Sequence, residues 1–475
     1  MSGDRDRRSD DATAPASRIR QSRFCLLPDS EEAFALRAAT ARLAEKTLDL
    51  QYYIWDDDHI GKLLVYRALE AARRGVRVRL LLDHANQLGR DVKWAALNAH
   101  PNVEVRLFNP FRGRYKHFLQ WLYHAPRLNH RMHNKAWIAD GEHAIVGGRN
   151  ISDHYFGVHP DANFRDLDLY ARGPIVAETL DAFDSYWNSD VTVHLRTLKR
   201  RSREDAEHLW HELDHWCQHL GDFPYRHEQD PARFQKIVGD ADARQITAPA
   251  ALLFDTPDKA KGVTQRLMGD QLARLLSRRS LREILIEAGY FIPGDDFVGT
   301  LADMHANGGR IALLTNSLAT NDVIAAHAAY AHYRPDLVRA GVEVHELQPN
   351  ARARRHLARL KPGRSMSALH TKAMVLDRQE LFVGSFNLDP RSANLNTEMG
   401  YYVNSEALAA RVAAFIEEGM APQNSYRVSL GENGGMEWGA GDEHGPVRYR
   451  REPRVSKSRW LASRFMGLLP IENLL

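Results

Sequence analysis

The chain has little cysteine and no long hydrophobic run. Its 475 residues include two cysteines, Cys25 and Cys217, too few for a disulfide framework or a cysteine-ligated metal cluster. Nowhere do about 18 apolar residues follow one another, so no membrane-spanning helix is predicted. Residues 1–23 are rich in Arg, Asp and Ser without an apolar centre, which argues against a secretory signal and predicts a disordered tail.

A large excess of charge of one sign is also missing. The formal net charge is +3, with 26% charged and 44% hydrophobic residues. Such a composition predicts a globular protein of two or three domains with real cores. The mild basic balance does not indicate nucleic acid, and no nucleic-acid partner is expected.

What the chain does contain is a motif that occurs twice. A single His-x-Lys pair is weak evidence, but identical spacing at five positions indicates a repeated function. The shared positions are His133, Lys135, Asp140, Gly147 and Asn150 in the first copy, and His370, Lys372, Asp377, Gly384 and Asn387 in the second.

Each motif is predicted to form a β-hairpin. The apolar runs 136–139 and 373–376 are typical of buried strands, and residues two apart on a strand share a face, so His and Lys point the same way. Residues 143–146 and 380–383 would form the returning strands of the two hairpins. Asp140 and Asp377 lie at the far ends of the first strands, which favours turn capping or ion pairing over catalysis. The small residues that follow, such as Gly148, would let the backbone approach a ligand closely.

Strands alternate with helices in both halves of the chain. Strands at 48–55 and 76–82 flank a helix at 63–73, and the second half repeats this order from 284 to 314. The pattern predicts a largely parallel sheet covered on both faces, with antiparallel strands added by the motif hairpins. The expected divisions are a first domain at 24–194, an inter-domain insertion at 195–262, a second domain at 263–425 and a basic amphipathic tail at 426–475.

The second motif and its continuation, residues 384–392 and 396–400, resemble the phospholipase D superfamily and within it the bacterial cardiolipin synthases without amino-terminal membrane spans. The resemblance runs from Leu48 to about Val403, and residues 468–475 are also similar to the end of that subgroup. It implies an α/β fold of two phospholipase D-like sandwich domains related by a pseudo-twofold axis, with the active site at their interface.

The same resemblance implies a division of catalytic roles. His133 would attack phosphorus to give a phosphatidyl-histidine, while His370 would protonate the leaving alcohol and deprotonate the incoming one. The sequence leaves the reverse order open. Phosphate oxygens would be held by Lys135, Lys372, Asn150 and Asn387, with Ser385 as a further donor, so no metal and no cofactor are expected.

A nucleophilic imidazole needs a carboxylate behind its far nitrogen. Glu398 is expected to fill this place in the second half, and Asp166 in the first. Asp168 shares the strand face of Asp166 and is the alternative.

Ligands of open α/β sheets collect beyond the carboxyl ends of the strands. The polar loops at 83–86 and 315–322 follow such ends. Asn316 and Asn321 are therefore candidate acceptor-binding residues, although these loops also fit plain turn chemistry.

Three further segments carry competing interpretations. On a predicted helix at 204–220, His208, His211, His215 and His219 share one face; we expect an amphipathic helix with its histidines outward rather than a zinc site.

The aromatic and basic stretch at 108–131 suits a membrane interface. At the end of the chain, basic residues precede a helical apolar stripe, which predicts either an interfacial anchor or a helix docked by that stripe on the protein's own core; its members are Leu461, Phe465, Leu468 and Leu469.

The resemblance implies phosphatidyl transfer. Phosphatidylglycerol or phosphatidylethanolamine would load the enzyme, and a second phosphatidylglycerol would accept the group to form cardiolipin. Hydrolysis to phosphatidic acid, nuclease activity and non-catalytic lipid binding are the alternatives. The expected partners are phospholipids and an anionic membrane surface, with the protein lying peripherally on the cytoplasmic face of the inner membrane.

Overall fold

The computed structural model describes residues 19–111, 127–225, 228–262, 267–351, 366–442 and 445–469. Eighteen strands join in one mixed sheet, and two more form a separate pair. The first half of the sheet contains β1 (Arg20–Leu27), β2 (Thr47–Tyr52), β3 (Arg77–Asp83), β4 (Val103–Phe108), β5 (Ala136–Ala139), β6 (His143–Gly147), β8 (Asp168–Arg172) and β9 (Thr192–His194), while β7 (Ala162–Arg165) belongs to the pair.

The second half repeats this arrangement. Its strands are β10 (Ile246–Phe254), β11 (Glu283–Ala288), β12 (Arg310–Asn316), β13 (Glu343–Leu347), β15 (Lys372–Leu376), β16 (Glu380–Gly384), β17 (Met399–Asn404) and β18 (Ser425–Leu430), with β14 (Met366–Leu369) paired to β7. Two further strands, β19 (Met436–Asp442) and β20 (Gly445–Tyr449), extend the sheet from β18.

The order of strands across the sheet reads the same from both ends around its centre. The order is β9-β4-β3-β2-β5-β6-β8-β1-β10-β17-β16-β15-β11-β12-β13-β18, followed by β19 and β20. The central pair, β1 with β10, is antiparallel. The two halves are therefore related by a pseudo-twofold axis, and the predicted fold class is confirmed.

Helices cover the sheet and connect its parallel strands. They are α1 (Ser30–Leu43), α2 (His59–Arg73), α3 (Asp91–Leu97), α4 (Pro174–Trp187), α5 (Leu195–Leu198), α6 (Arg203–Gln218), α7 (Pro231–Ala243), α8 (Leu267–Leu276), α9 (Asp295–Ala306), α10 (Ile324–Arg339), α11 (Pro390–Asn394), α12 (Glu406–Met420) and α13 (Lys457–Met466); short 3-10 turns lie at His84–Gln87, Asp153–Phe156 and Pro257–Lys261.

The sheet is less parallel than the sequence predicts. Parallel pairing within it is confined to β2-β3-β4 and β11-β12-β13, where helices provide the crossovers that parallel neighbours need. The motif hairpins and the strands that join the halves are antiparallel, because short turns return the chain beside itself.

Two expected boundaries also move. β10 is the counterpart of β1 and pairs with β17, so the second structural unit begins near residue 246 rather than 263. The helices α6 and α7 pack on α1 and α2 and thicken the first half. At the other end, β18 pairs with β13 as β9 pairs with β4, so residues from 426 onward begin as part of the sheet rather than as a tail.

The two halves share a hydrophobic core along their junction. One cluster contains Phe24 and Val146 from the first half together with Leu252, Val383 and Tyr401 from the second, all of them fully or almost fully buried. Apolar burial on this scale stabilises the pair as one unit. It also fixes both motif hairpins relative to each other.

Candidate active site

The two motifs meet at the junction of the halves, and backbone bonds hold each to the opposite half. His133 lies just before β5, and its amide donates to the carbonyl of Thr397 at 2.8 Å. His370 lies just before β15, and its amide donates to the carbonyl of Arg165 at 2.9 Å. The parallel pair β7-β14 crosses the same boundary.

This arrangement brings the two motif histidines together. Their ring centroids lie 6.5 Å apart with the planes inclined at 57°, and His133 and His370 are 7% and 5% exposed. Tyr53 contacts the ring of His133 edge-on at 4.9 Å, and Tyr155 contacts His370 in the same way at 4.9 Å. Two such rings together with the two motif lysines form a site that suits an anionic phosphodiester.

Each imidazole has a carboxylate behind it, but the pairing crosses between the halves. His133 Nδ1 lies 3.0 Å from Glu398 Oε2, and His370 Nδ1 lies 2.7 Å from Asp166 Oδ2. The sequence-based expectation that each carboxylate serves its own half is therefore wrong. The physical reason is the backbone crossing, because Thr397 and Arg165 hold the opposite histidines and place the next residue behind the ring.

The alternative carboxylate, Asp168, has a structural role. Its side chain lies 2.9 Å from Arg37 and 3.2 Å from Arg149, and all three are buried. Arg149 also donates to the carbonyls of Leu27 and Asp166. This ion-paired cluster holds the short link between β7 and β8 that carries Asp166.

Glu398 is the better supported of the two carboxylates. Ser385 Oγ and His133 Nδ1 both contact its Oε2, and Ser392 Oγ donates to its Oε1 at 2.9 Å. Ser385 Oγ also accepts from the amide of Met399 at 3.0 Å. Ser385 is thus engaged by the carboxylate, which corrects the expectation that it binds substrate directly.

Asp166 receives fewer hydrogen bonds than Glu398. Its Oδ1 accepts from the amide of Leu167 at 2.8 Å, and its Oδ2 contacts His370. A Cβ at Gly148 would lie 2.1 Å from Asp166 Oδ1. Gly148 is therefore required by this carboxylate, and its lack of a side chain does not serve ligand approach alone.

These environments give the carboxyl groups opposite pKa shifts. Burial raises the pKa of Asp166 to about 7, with Lys372 and Arg149 acting against it. Burial would also raise the pKa of Glu398, but His133, Lys135 and Ser385 outweigh it and hold the pKa below its ordinary value. Glu398 is ionised at neutral pH, whereas Asp166 lies near the midpoint of its titration.

The two histidines of the site have pKa values below the ordinary value of histidine. Burial lowers the pKa of His133 to about 4, despite the attraction of Glu398. Burial, Lys372 and Lys135 bring the pKa of His370 well below its ordinary value. Both rings are therefore neutral at neutral pH, and their Nδ1 atoms face carboxylates, which leaves Nε2 of each ring for chemistry.

The two motif lysines are equivalent in position and buried. Lys135 Nζ donates to the carbonyl of His133, and Lys372 Nζ donates to the carbonyl of His370. Burial lowers the pKa of Lys135 to about 7 and that of Lys372 to about 8. An anion between them would restore their charge, because an opposite charge favours the protonated ammonium.

The two motif asparagines, in contrast, differ. Asn150 Oδ1 accepts from the amide of Ile54 at 3.1 Å, and its Nδ2 donates to the hydroxyl of Tyr155 at 2.9 Å. Asn387 is equally buried, but within the described residues its Oδ1 has no hydrogen-bond partner. Asn387 is therefore the amide with capacity left for a ligand.

The other candidate asparagines serve the fold. Asn316 donates to the carbonyls of Gly289 and Leu369 and accepts from the amide of Leu369, so its amide is fully used in fixing the chain before His370. Asn321 Oδ1 accepts from the amide of Val323. The structure therefore gives Asn316 a structural role instead of the expected acceptor-binding role. Asn321 is a turn residue.

Asp140 and Asp377 cap the turns before β2 and β11. Asp140 accepts from the amides of Glu45, Lys46 and Thr47, and Asp377 accepts from those of Arg282 and Glu283. Both have positive φ values, 55° and 49°, a conformation that aspartate tolerates. These contacts fit the structural role expected from the sequence.

Several site residues escape the sequence-based reasoning. Tyr53 could have been found from the sequence, because it directly follows a strand whose neighbour carries a motif. Tyr155 could not, since the equivalent position in the second half is Ser392 and no repeated residue marks it. Asp255 is also hidden in the sequence; its Oδ2 accepts from the amide of Glu398 at 3.0 Å and pairs with Lys259 at 2.8 Å.

The remaining sequence-based interpretations fall outside the site. On α6, Leu209, Leu213 and Cys217 are buried while the four histidines are exposed, as the amphipathic interpretation predicts. Across the described ranges, no three His, Cys, Asp or Glu side chains are grouped to hold a metal ion. Most of the aromatic and basic stretch, 112–126, lies outside the described residues. Among the helices that are described, none has the length and apolar content to cross a bilayer.

Two α/β units that contribute one His–Lys motif each to a shared site define a phospholipase D-like protein. The sequence comparison agrees: residues 39–187 and 273–419 match the family described as "Cardiolipin synthase, PLD-like domain". The chain belongs to this family.

Individual relatives cover nearly the whole chain. Cardiolipin synthase C of Escherichia coli is 40% identical over 455 residues, covering 94% of this chain and 95% of that protein. A cardiolipin synthase of Halalkalibacterium halodurans is 24% identical over 393 residues, covering 82% and 65%. The crystal structure of phosphatidylserine synthase from Haemophilus influenzae superposes with a TM-score of 0.61 over 95% of each chain, and at 12% identity this likeness shows the fold alone.

Proposed function

We propose that the protein is a phosphatidyltransferase that makes cardiolipin from phosphatidylglycerol and a second phospholipid. The observation that carries the proposal is the pair of buried imidazoles, 6.5 Å apart, each backed by a carboxylate from the opposite half. The relationship to cardiolipin synthase C supports the choice of lipid.

The first half of the reaction loads the enzyme. Nε2 of one histidine attacks the phosphorus of the donor lipid, a P–N bond forms, and the P–O bond to the headgroup alcohol breaks. The other histidine gives its proton to the departing alkoxide. In the second half, that histidine takes the proton of the acceptor hydroxyl, whose oxygen attacks phosphorus and releases the first histidine. With phosphatidylglycerol as donor and acceptor, the products are cardiolipin and glycerol.

The asymmetry of the carboxylates supports His133 as the nucleophile. An ionised Glu398 stabilises the positive charge that the imidazole gains as the P–N bond forms. The pair of His370 and Asp166 holds a proton near neutral pH, because burial raises the pKa of Asp166 to about 7. A pair with an available proton is suited to protonating the leaving group.

The remaining groups would bind the phosphate. Lys135 and Lys372 lie beside the histidines and would carry positive charge once a phosphodiester anion is bound. Asn387 has an unpaired carbonyl oxygen that would accept a hydrogen bond from a substrate hydroxyl, while Asn150 would act by holding Tyr155 against His370. No step in this scheme requires a metal ion or a cofactor.

Purified protein incubated with vesicles of phosphatidylglycerol tests the proposal. Cardiolipin and glycerol should appear in equal amounts, with phosphatidic acid as a minor product. Phosphatidic acid as the main product would mean that water is the acceptor and the protein is a hydrolase. Cleavage of plasmid DNA without lipid turnover would identify a nuclease instead. A chelator should leave turnover unchanged, and activity that returns only with added metal would contradict the mechanism.

A further inference from the structure

The last helix, α13, is docked on the protein by its polar side. In the segment before it, Glu452 contacts Arg334 at 2.6 Å and His327 at 3.4 Å, both on α10. On the helix, Arg459 Nε donates to the carbonyl of Leu318 at 2.7 Å, and Ser463 is 8% exposed. These contacts fix the orientation of α13 and decide which face points outward.

The outward face is apolar. Leu461 and Phe465 lie on the side of α13 opposite positions 459 and 463, and Leu468 follows just beyond the end of the helix. Leu461, Phe465 and Leu468 are 60%, 62% and 82% exposed. The expected alternative, in which this stripe docks on the protein's own core, is therefore wrong for the described structure.

Such exposure is concentrated in this part of the molecule. Eleven large apolar side chains are exposed within the described residues, and five of them lie between 460 and 469; these five are Trp460, Leu461, Phe465, Leu468 and Leu469. An exposed apolar cluster of this kind marks a surface that binds something. We call it the α13 face.

Cations are concentrated in the segment that carries the α13 face, and two of them, Arg448 and Arg450, lie 3.9 Å and 3.5 Å from Glu437. Residues 445–469 contain seven Arg or Lys residues and one acidic residue, a formal net charge of +6 against +3 for the whole chain. The one acid, Glu452, is engaged by Arg334. The cations Arg448, Arg450, Arg451, Arg454, Lys457 and Arg464 are all exposed.

The docked side of α13 is connected to the active site through one loop. Arg459 binds the carbonyls of Leu318 and Asn321, in the loop that follows β12. In the same loop Asp322 accepts from the hydroxyl of Tyr290 at 2.6 Å, and its charge opposes the lowering of the pKa of Lys372 by burial. One loop thus connects α13 to the surroundings of Lys372.

From these observations we infer that the α13 face is a docking surface for an anionic lipid bilayer. Apolar side chains would enter the bilayer at headgroup depth while the flanking cations meet lipid phosphates. A second copy of the chain fits less well, because a twofold contact would place two segments of charge +6 face to face. The inference rests on the proposed function for the identity of the substrate, but vesicle binding can be measured without turnover.

The test compares Phe465→Glu with Leu198→Glu in the full chain. Leu198 is 41% exposed and lies on α5, which follows β9 at the opposite end of the sheet from β20, so it is a matched control. Each protein is floated with vesicles of phosphatidylglycerol and phosphatidylethanolamine, and with phosphatidylcholine alone. Wild type and Leu198→Glu should float with the anionic vesicles and release at high salt, and Phe465→Glu should lose about tenfold or more in bound fraction.

Three controls separate the outcomes. Unchanged melting temperatures show that the variants fold, and Phe465→Ser replaces Phe465→Glu if it does not fold. Unchanged flotation of the variant overturns the inference, as does a dimer in solution that Phe465→Glu dissociates. Turnover of monomeric short-chain phosphatidylglycerol should be equal in all proteins. If Phe465→Glu shows reduced flotation but none of the proteins makes cardiolipin, the proposed function is contradicted while the docking surface is still supported.

Discussion

The two half-sites share a backbone and differ in the chemistry behind each histidine. Glu398, behind His133, receives two serine hydroxyls and has a lowered pKa. Asp166, behind His370, receives one backbone amide and has a pKa raised to about 7 by burial. A duplicated fold thus provides two imidazoles in equivalent places, and the surrounding donors give the carboxylates behind them different proton affinities. In the proposed mechanism, duplication supplies the geometry and this divergence supplies the division of roles.

The largest effect is expected when either histidine is removed. His133→Ala and His370→Ala should each lower kcat by at least about 10,000-fold, because nucleophile and acid act as a unit. Their failures should differ when labelled phosphatidylglycerol is added and the protein is quenched. His370→Ala should retain a small amount of label on His133, and His133→Ala should retain none. Label on His370 would reverse the assignment.

The next test removes charge without changing shape. Glu398→Gln should lower kcat by roughly 1,000-fold, since it disturbs the tautomer of the nucleophile and removes its counter-charge. Asp166→Asn should cost less, on the order of 100-fold, because Asp166 already carries a proton part of the time at neutral pH. Single-turnover loading and product formation, measured separately, locate each loss. Equal losses in the same step would mean that the half-sites are not specialised.

The duplicated motif made the paired histidines and lysines of the candidate site predictable from sequence, because repetition at fixed spacing is stronger evidence than any local pattern. The α/β fold was predictable from strand–helix alternation. The crossed pairing of Glu398 with His133 was not, since it depends on two segments about 265 residues apart lying side by side across the pseudo-twofold axis. Asn316 was misjudged for a similar reason, as its bonds to Gly289 and Leu369 exist only in three dimensions.

Gly148 tests the comparison by making the first half resemble the second. Gly148→Ser introduces a Cβ that would lie 2.1 Å from Asp166 Oδ1, so the carboxylate must move and His370 with it. A displacement of this size should lower kcat by on the order of 100-fold. Ser385→Gly, the reverse change, creates no clash and should cost much less. A fully active Gly148→Ser protein would contradict the packing described for Asp166.

The pH dependence of kcat/KM sharpens the comparison through the free enzyme's titrating groups. Below its pKa of about 4 His133 is protonated and cannot attack, so activity should fall on the acid side there. On the alkaline side the lysines lose the charge that binds phosphate, with a pKa of about 7 for Lys135 and about 8 for Lys372, and Asp166 loses its proton with a pKa of about 7. We expect roughly tenfold loss per pH unit beyond the alkaline limit. Lys135→Arg should move that limit upward, and an unmoved limit would exclude Lys135 as its source.

The smallest expected effect concerns the serine that separates the half-sites. Ser385 donates to Glu398 and helps to lower its pKa. Ser385→Ala removes this bond and should reduce kcat about fivefold, the effect of about 1 kcal/mol of hydrogen bonding. Because Glu398 then holds its proton more tightly, its charge is lost at a higher pH as the solution is acidified. Because His133 and Glu398 are in contact and set the acid limb of kcat/KM together, that limb should move upward, while the alkaline limb stays in place. Ser392→Ala, which removes a donor from the other oxygen of Glu398, should give the same shift. A loss of activity with no movement of the acid limb would assign Ser385 to substrate binding instead.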